Sequence, residues 1–169
     1  MIGETVNPHP SKPLRGSSPS LSLRERDLEI EGYASLFWER DLNDDVAAKG
    51  AFRESLERTG AEGVRLLYQH EARDPVGVWD EVKEDARGLF VRGRILAASA
   101  QGRLAQALVR AGALDGLSIG FRTMKARRDE SGRLRVLTEV ELWEVSLVTF
   151  PMLPAARLRI ADSTALAAA

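Results

Sequence analysis

The chain has 169 residues, 44% hydrophobic and 29% charged, with 24 Lys and Arg against 25 Asp and Glu. That length suits one domain with a single sizeable core, and the net charge of −1 gives no electrostatic reason to bind nucleic acid or an acidic membrane. The lack of cysteine excludes disulfide scaffolds, thiolate nucleophiles, iron–sulfur clusters and cysteine-based zinc sites, and fits a reducing compartment.

There are two histidines, His9 and His70. His9 lies in a Pro/Ser-rich terminus, so a three-histidine metal site is impossible and any histidine base must be His70. No cofactor is expected. No apolar run approaches the roughly 20 residues of a membrane span, and the sequence predicts no secretory leader.

Residues 1–25 carry Pro8, Pro10, Pro13 and Pro19 with several serines and few large apolar groups. Such a segment buries too little surface to offset its ordering entropy, so it is expected to be disordered. Leu28–Phe37, with Ile30, Tyr33 and Phe37, reads as a strand. Leu42–Asp45 reads as a turn, followed by a helix over Val46–Arg58 with Ala48, Ala51, Phe52 and Leu56 on one face and Gly60 as its stop. Gly50 costs that helix about 1 kcal/mol against Ala.

Val64–Tyr68 reads as a short strand running into Gln69-His70-Glu71. Pro75–Trp79 and Leu89–Ile95 are further strands, separated by the polar turn Lys83–Gly88. Ser99 is placed to cap a helix carrying Leu104, Leu108 and Val109, with Gly112 as its stop. Leu117–Lys125 and Leu134–Leu137 read as a hairpin around the polar loop 126–133, and Val140–Phe150 as the strongest strand, ended by Pro151. Residues 161–169 are an Ala-rich tail without apolar period. The folded domain is then 26–160, mostly β with peripheral helices. Its roughly seven short strands with turn-rich spacing suit a barrel or sandwich.

Three residue types in this chain match the needs of nucleophilic catalysis: a hydroxyl to attack, an imidazole to take its proton and a carboxylate to orient the imidazole. His70 stands at the end of an apolar strand, where a side chain is held rigidly yet reaches solvent. The competing reading is a half-buried imidazole bonded to a backbone carbonyl. Ser118, in Gly116-Leu117-Ser118-Ile119-Gly120-Phe121, shares a strand face with two glycines, which leaves room for an approaching substrate backbone. The competing reading is a tight strand crossing. Glu144 lies in the apolar run Glu141–Val148, where a carboxylate must face solvent or be paired. Ideal alternation puts Leu142, Glu144, Ser146 and Val148 on one face, and Glu141, Trp143, Val145 and Leu147 on the core face. The cluster Arg122, Lys125, Arg127 and Arg128 reads as a solvated hairpin tip rather than a nucleic-acid surface.

Glu31-Gly32-Tyr33-Ala34, Lys49-Gly50-Ala51-Phe52, Leu66-Leu67-Tyr68-Gln69-His70-Glu71, Pro75-Val76-Gly77, Gly116–Phe121 and Glu144–Pro151 occur in that order. This succession resembles the prohead maturation proteases of tailed phages, the caudovirus prohead serine protease family, over about residues 29–158. The resemblance implies an assemblin-like β-barrel with surrounding helices, related to the herpesvirus assemblins. It implies a serine endopeptidase inside the immature capsid in the bacterial host cytoplasm. Its substrate would be the scaffold-like part of the major capsid protein, and often the enzyme itself. It matches His70 and Ser118 to the family's histidine and serine. For the third catalytic member Glu144 is the choice, with Glu141 behind it. A homodimer follows by analogy with assemblins, and phage-like particles such as gene transfer agents are an equivalent setting. The alternative from another class is a non-enzymatic capsid assembly or scaffolding module on the same barrel.

Overall fold

A computed structural model of the chain describes residues 26–162. The expectations for 1–25, and for the tail beyond Asp162, lie outside the described residues. The strands are β1 (Leu28–Leu36), β2 (Asp45–Ala47), β3 (Arg65–Tyr68), β4 (Glu71–Glu84), β5 (Gly88–Ile95), β6 (Gly116–Arg128), β7 (Arg135–Val148) and β8 (Leu158–Ile160), with helices α1 (Arg53–Thr59) and α2 (Ala100–Arg110). The expected mostly-β architecture with peripheral helices is what forms.

The long strand β7 organises the sheet. Along one edge β6 runs antiparallel, from Gly116 opposite Val148 to Arg128 opposite Arg135. The other edge carries two parallel partners in succession, β2 at Arg135–Leu137 and β3 at 144–147. From β3 the order continues through β4, β5 and β1 to β8. The sheet curls until Gly116 bridges Arg157, just before β8, and Leu117 N–H donates to Ala156 O. Beyond Leu117 the outer edge of β6 has no strand partner among the described residues.

Alternation accounts for the inside of the curl. Ile30, Leu66, Val76, Leu89, Val91, Ile95, Leu117, Val145 and Leu147 are all at most 1% exposed. Burying such side chains contributes about 1.5–3 kcal/mol each. Trp79 joins them and donates its indole N–H to Val145 O. The Ser99 cap forms as its residue type demands, its Oγ accepting from Gly102 N–H at 2.9 Å.

Four expectations are corrected. The helix expected over Val46–Arg58 begins only at Arg53: Asp45–Ala47 pairs with β7, and Gly50 adopts φ 91°, which no helix contains. The two strands expected on either side of Thr138 are one continuous strand, β7. Of Leu104, Leu108 and Val109 only Leu104 is exposed; α2 buries Val109 as expected, with Ala105 and Gln106 beside it, and Leu108 packs against the core. Finally, β7 breaks its alternation. Gly120 pairs with Glu144 but Phe121 with Leu142, so Trp143 bulges outward, 53% exposed, while Leu142 is 2% exposed in the core. The extra residue shifts parity, so Leu142 joins Val145 and Leu147 in the core, while Glu144 and Ser146 stay on the opposite face as alternation predicts.

Candidate active site

The outer face of the β6–β7 pair carries the polar groups. Ser118 stands opposite Ser146, and Gly120 opposite Glu144. Cross-strand partners share a face, so two hydroxyls, one carboxylate and one bare backbone meet there. The alternation read from Gly116–Phe121 therefore holds, with Leu117 in the core and Ser118 on the outer face. Ser118 is 6% exposed and Ser146 is fully buried.

His70 arrives from the β3–β4 hairpin. Tyr68 pairs with Glu71, so Gln69 and His70 form a two-residue loop with φ of 52° and 60°. Hairpins of this kind favour Asn-Gly because both residues need positive φ. Two ordinary L-residues there cost about 1–2 kcal/mol each, and the surroundings hold them. Gln69 N–H donates to Leu147 O at 2.9 Å, and its Nε2 donates to Thr149 Oγ1 at 2.7 Å. The backbone N–H of His70 donates to Ser146 Oγ at 3.1 Å. The parallel pairing of β3 with β7 thus delivers the imidazole beside Glu144.

His70 Nδ1 and Glu144 Oε1 are 2.5 Å apart, and Ser146 Oγ donates to Glu144 Oε2 at 2.6 Å. Each carboxylate oxygen has one partner, so the group cannot rotate without breaking a bond. Gly120 makes the space: a Cβ there would overlap Oε1 and come within 2.7 Å of Cδ. The hydrogen bond to Glu144 raises the His70 pKa above its ordinary value. Partial burial opposes this, and the carboxylate's charge adds to it. The Glu144 side chain is 12% exposed and that of His70 is 43% exposed, so the imidazole remains open to incoming groups. A carboxylate on Nδ1 fixes the Nδ1–H tautomer and leaves Nε2 as the basic nitrogen.

Glu141, the second choice for a third member, is elsewhere. It pairs with Arg58 at 3.1 Å and Arg122 at 2.8 Å. Arg122 and Lys125 of the basic cluster are thereby partnered, Lys125 by Glu139. The sequence alone does not single out Ser146. The signal was a hydroxyl two residues after Glu144 in an otherwise apolar strand, a buried polar group that needs partners.

A small cavity beside Ser118 is lined in part by Ala34, Ser35, Phe121, Met152 and Leu153.

A family model described as "Caudovirus prohead serine protease" matches residues 19–168. The prohead protease of Enterobacteria phage HK97 is 32% identical over 124 residues, covering 72% of this chain. The chain spans 55% of that relative's length. Among solved structures, the capsid assembly protease gp21 of bacteriophage T4 superposes with a TM-score of 0.57 at 16% identity, covering 72% of this chain and 81% of that one. The KSHV protease, solved with a hexapeptide phosphonate inhibitor, gives 0.56 at 14% identity, covering 82% of this chain and 66% of that one. At such identities the two structures speak for the fold alone, and that fold is the assemblin-like one expected.

Proposed function

The chain belongs to the caudovirus prohead serine protease family, and on that premise we propose that it is a serine endopeptidase of prohead maturation, with Ser118 as nucleophile, His70 as general base and Glu144 as the carboxylate that orients His70. The observation that carries this is the 2.5 Å contact of His70 Nδ1 with Glu144 Oε1, on the strand face that also bears Ser118. Two hydroxyls share that face, and only one suits attack. Ser146 is fully buried and committed to the His70 backbone and to Glu144 Oε2. Ser118 lies on the strand with the open edge.

The mechanism follows from these roles. Ser118 Oγ attacks the scissile carbonyl carbon while His70 Nε2 takes the hydroxyl proton. Glu144 stabilises the imidazolium that forms. His70 then returns the proton to the leaving amine, and the acyl-enzyme is released when His70 activates a water. An extended substrate adds as a strand along the unpaired edge of β6, with main-chain hydrogen bonds supplying register. The substrate is the scaffold-like part of the major capsid protein inside the immature capsid.

Co-expression with the major capsid protein it is proposed to cleave, wild type against Ser118→Ala, tests this by mass spectrometry of the capsid protein. A truncated capsid protein with the wild type and a full-length one with the variant is expected. Intact capsid protein in both, with normal particles, would favour a scaffolding module; cleavage in both would remove Ser118.

A further inference from the structure

The most buried polar group near the site is Ser146, 0% exposed in the middle of an apolar strand. A hydroxyl in such a place costs stability unless bonded, and this one is bonded twice. It accepts the backbone N–H of His70 at 3.1 Å and donates to Glu144 Oε2 at 2.6 Å. Glu144 Oε1 in turn meets His70 Nδ1 at 2.5 Å. The path His70 N, Ser146 Oγ, Glu144 carboxylate, His70 Nδ1 is therefore a closed ring that starts and ends on one residue.

The ring does two jobs that neither neighbour does alone. It anchors the backbone of a residue held at positive φ, and it fixes the carboxylate that selects the imidazole tautomer. No other hydrogen bond among the described residues reaches the His70 backbone N–H or Glu144 Oε2. The neighbouring carboxylate on β4, Glu71, is turned to Arg73, which leaves Glu144 as the acid engaged by the ring.

We propose that Ser146 is a positioning residue: through its single hydroxyl it locks both the backbone of His70 and the carboxylate of Glu144, so that the imidazole is presented in one tautomer and one orientation. It touches no substrate. The positioning rests on geometry alone, whereas its effect on rate rests on the peptidase reading above.

The test compares wild type with Ser146→Ala and Ser146→Thr in the full chain, each checked for folding by near-ultraviolet circular dichroism. Nitrogen-15 NMR of the imidazoles reads tautomer and titration directly, with His9→Gln assigning the second signal. In wild type His70 is expected to be held as the Nδ1–H tautomer and to titrate above its ordinary range. Ser146→Ala should mix the tautomers and bring the titration down. On a peptide substrate it should lower kcat by about 100-fold, as expected for a misplacement on the order of 1 Å, with KM little changed. Ser146→Thr, which keeps the hydroxyl, should restore both. If Ser146→Ala does not fold, Ser146→Cys replaces it, and its weaker donor should shift the tautomers in the same direction. An unchanged His70 tautomer and titration in the folded variant overturns the proposal, whatever the activity. A shifted tautomer in a chain whose wild type cleaves no peptide supports the positioning role and rejects the peptidase reading.

Discussion

His70 and Glu144 are 74 residues apart in sequence and 2.5 Å apart in space, Nδ1 to Oε1. The parallel pairing of β3 with β7 is what joins them, because the loop that follows Tyr68 must turn over the outer face where Glu144 lies. Removing the contact should therefore change the chemistry of His70 more than the stability of the barrel.

Glu144→Gln is expected to fold and to lose about 10³–10⁴-fold in kcat, because an amide can stabilise the wrong imidazole tautomer. Steady-state kinetics on a peptide spanning the capsid cleavage site measures this. Glu141→Gln is the control. Its exposed pairs with Arg58 and Arg122 are worth about 0–1 kcal/mol, and activity should be unchanged.

The pH dependence has a definite sign. Glu144 raises the His70 pKa, and a general base must be neutral, so kcat/KM should rise through a pKa above the ordinary 6.5. In Glu144→Gln the inflection should move to lower pH. Stability runs the other way: a raised folded-state pKa contributes stability that is complete below the unfolded value and lost as pH rises through the folded one. Rate profiles and thermal melts on the same samples check both directions.

Gly120→Ala should damage the site without touching any polar atom. Its Cβ would overlap the Glu144 carboxylate, which must swing away from His70. A loss of about 1–3 kcal/mol is expected from overpacking, with the same downward shift of the His70 titration as in Glu144→Gln. Denaturant unfolding and NMR titration separate the two effects.

His70→Ala and Ser118→Ala should each abolish cleavage, and the double variant should be no worse than either, since members of one catalytic unit do not contribute additively. A double variant that loses a further factor comparable to each single loss would separate the two residues.

Much of the face logic was legible locally. The period-2 pattern of Gly116–Phe121 put Ser118 between glycines on the outer face, and the register agrees. What required distant partners was not legible. Val46 fits a helix pattern, yet its parallel partner Val136 on β7 draws it into a strand. Trp143 fits the core face until the bulge opposite Gly120 and Phe121 turns it out. The tight turn at Gln69-His70 lacks the Asn-Gly signature, because bonds from Leu147, Thr149 and Ser146 hold it rather than local preference. Local pattern does not single out Ser146, because its two partners come from the same strand two residues back and from a hairpin 76 residues away.

The most direct measurement is to label the folded protein with a fluorophosphonate and identify the modified residue by peptide mass spectrometry. One adduct on Ser118 is predicted, absent from His70→Ala and Ser118→Ala while both variants keep the wild-type fold. An adduct on Ser146, or none on any serine of a correctly folded and freshly prepared sample, would contradict Ser118 as the nucleophile.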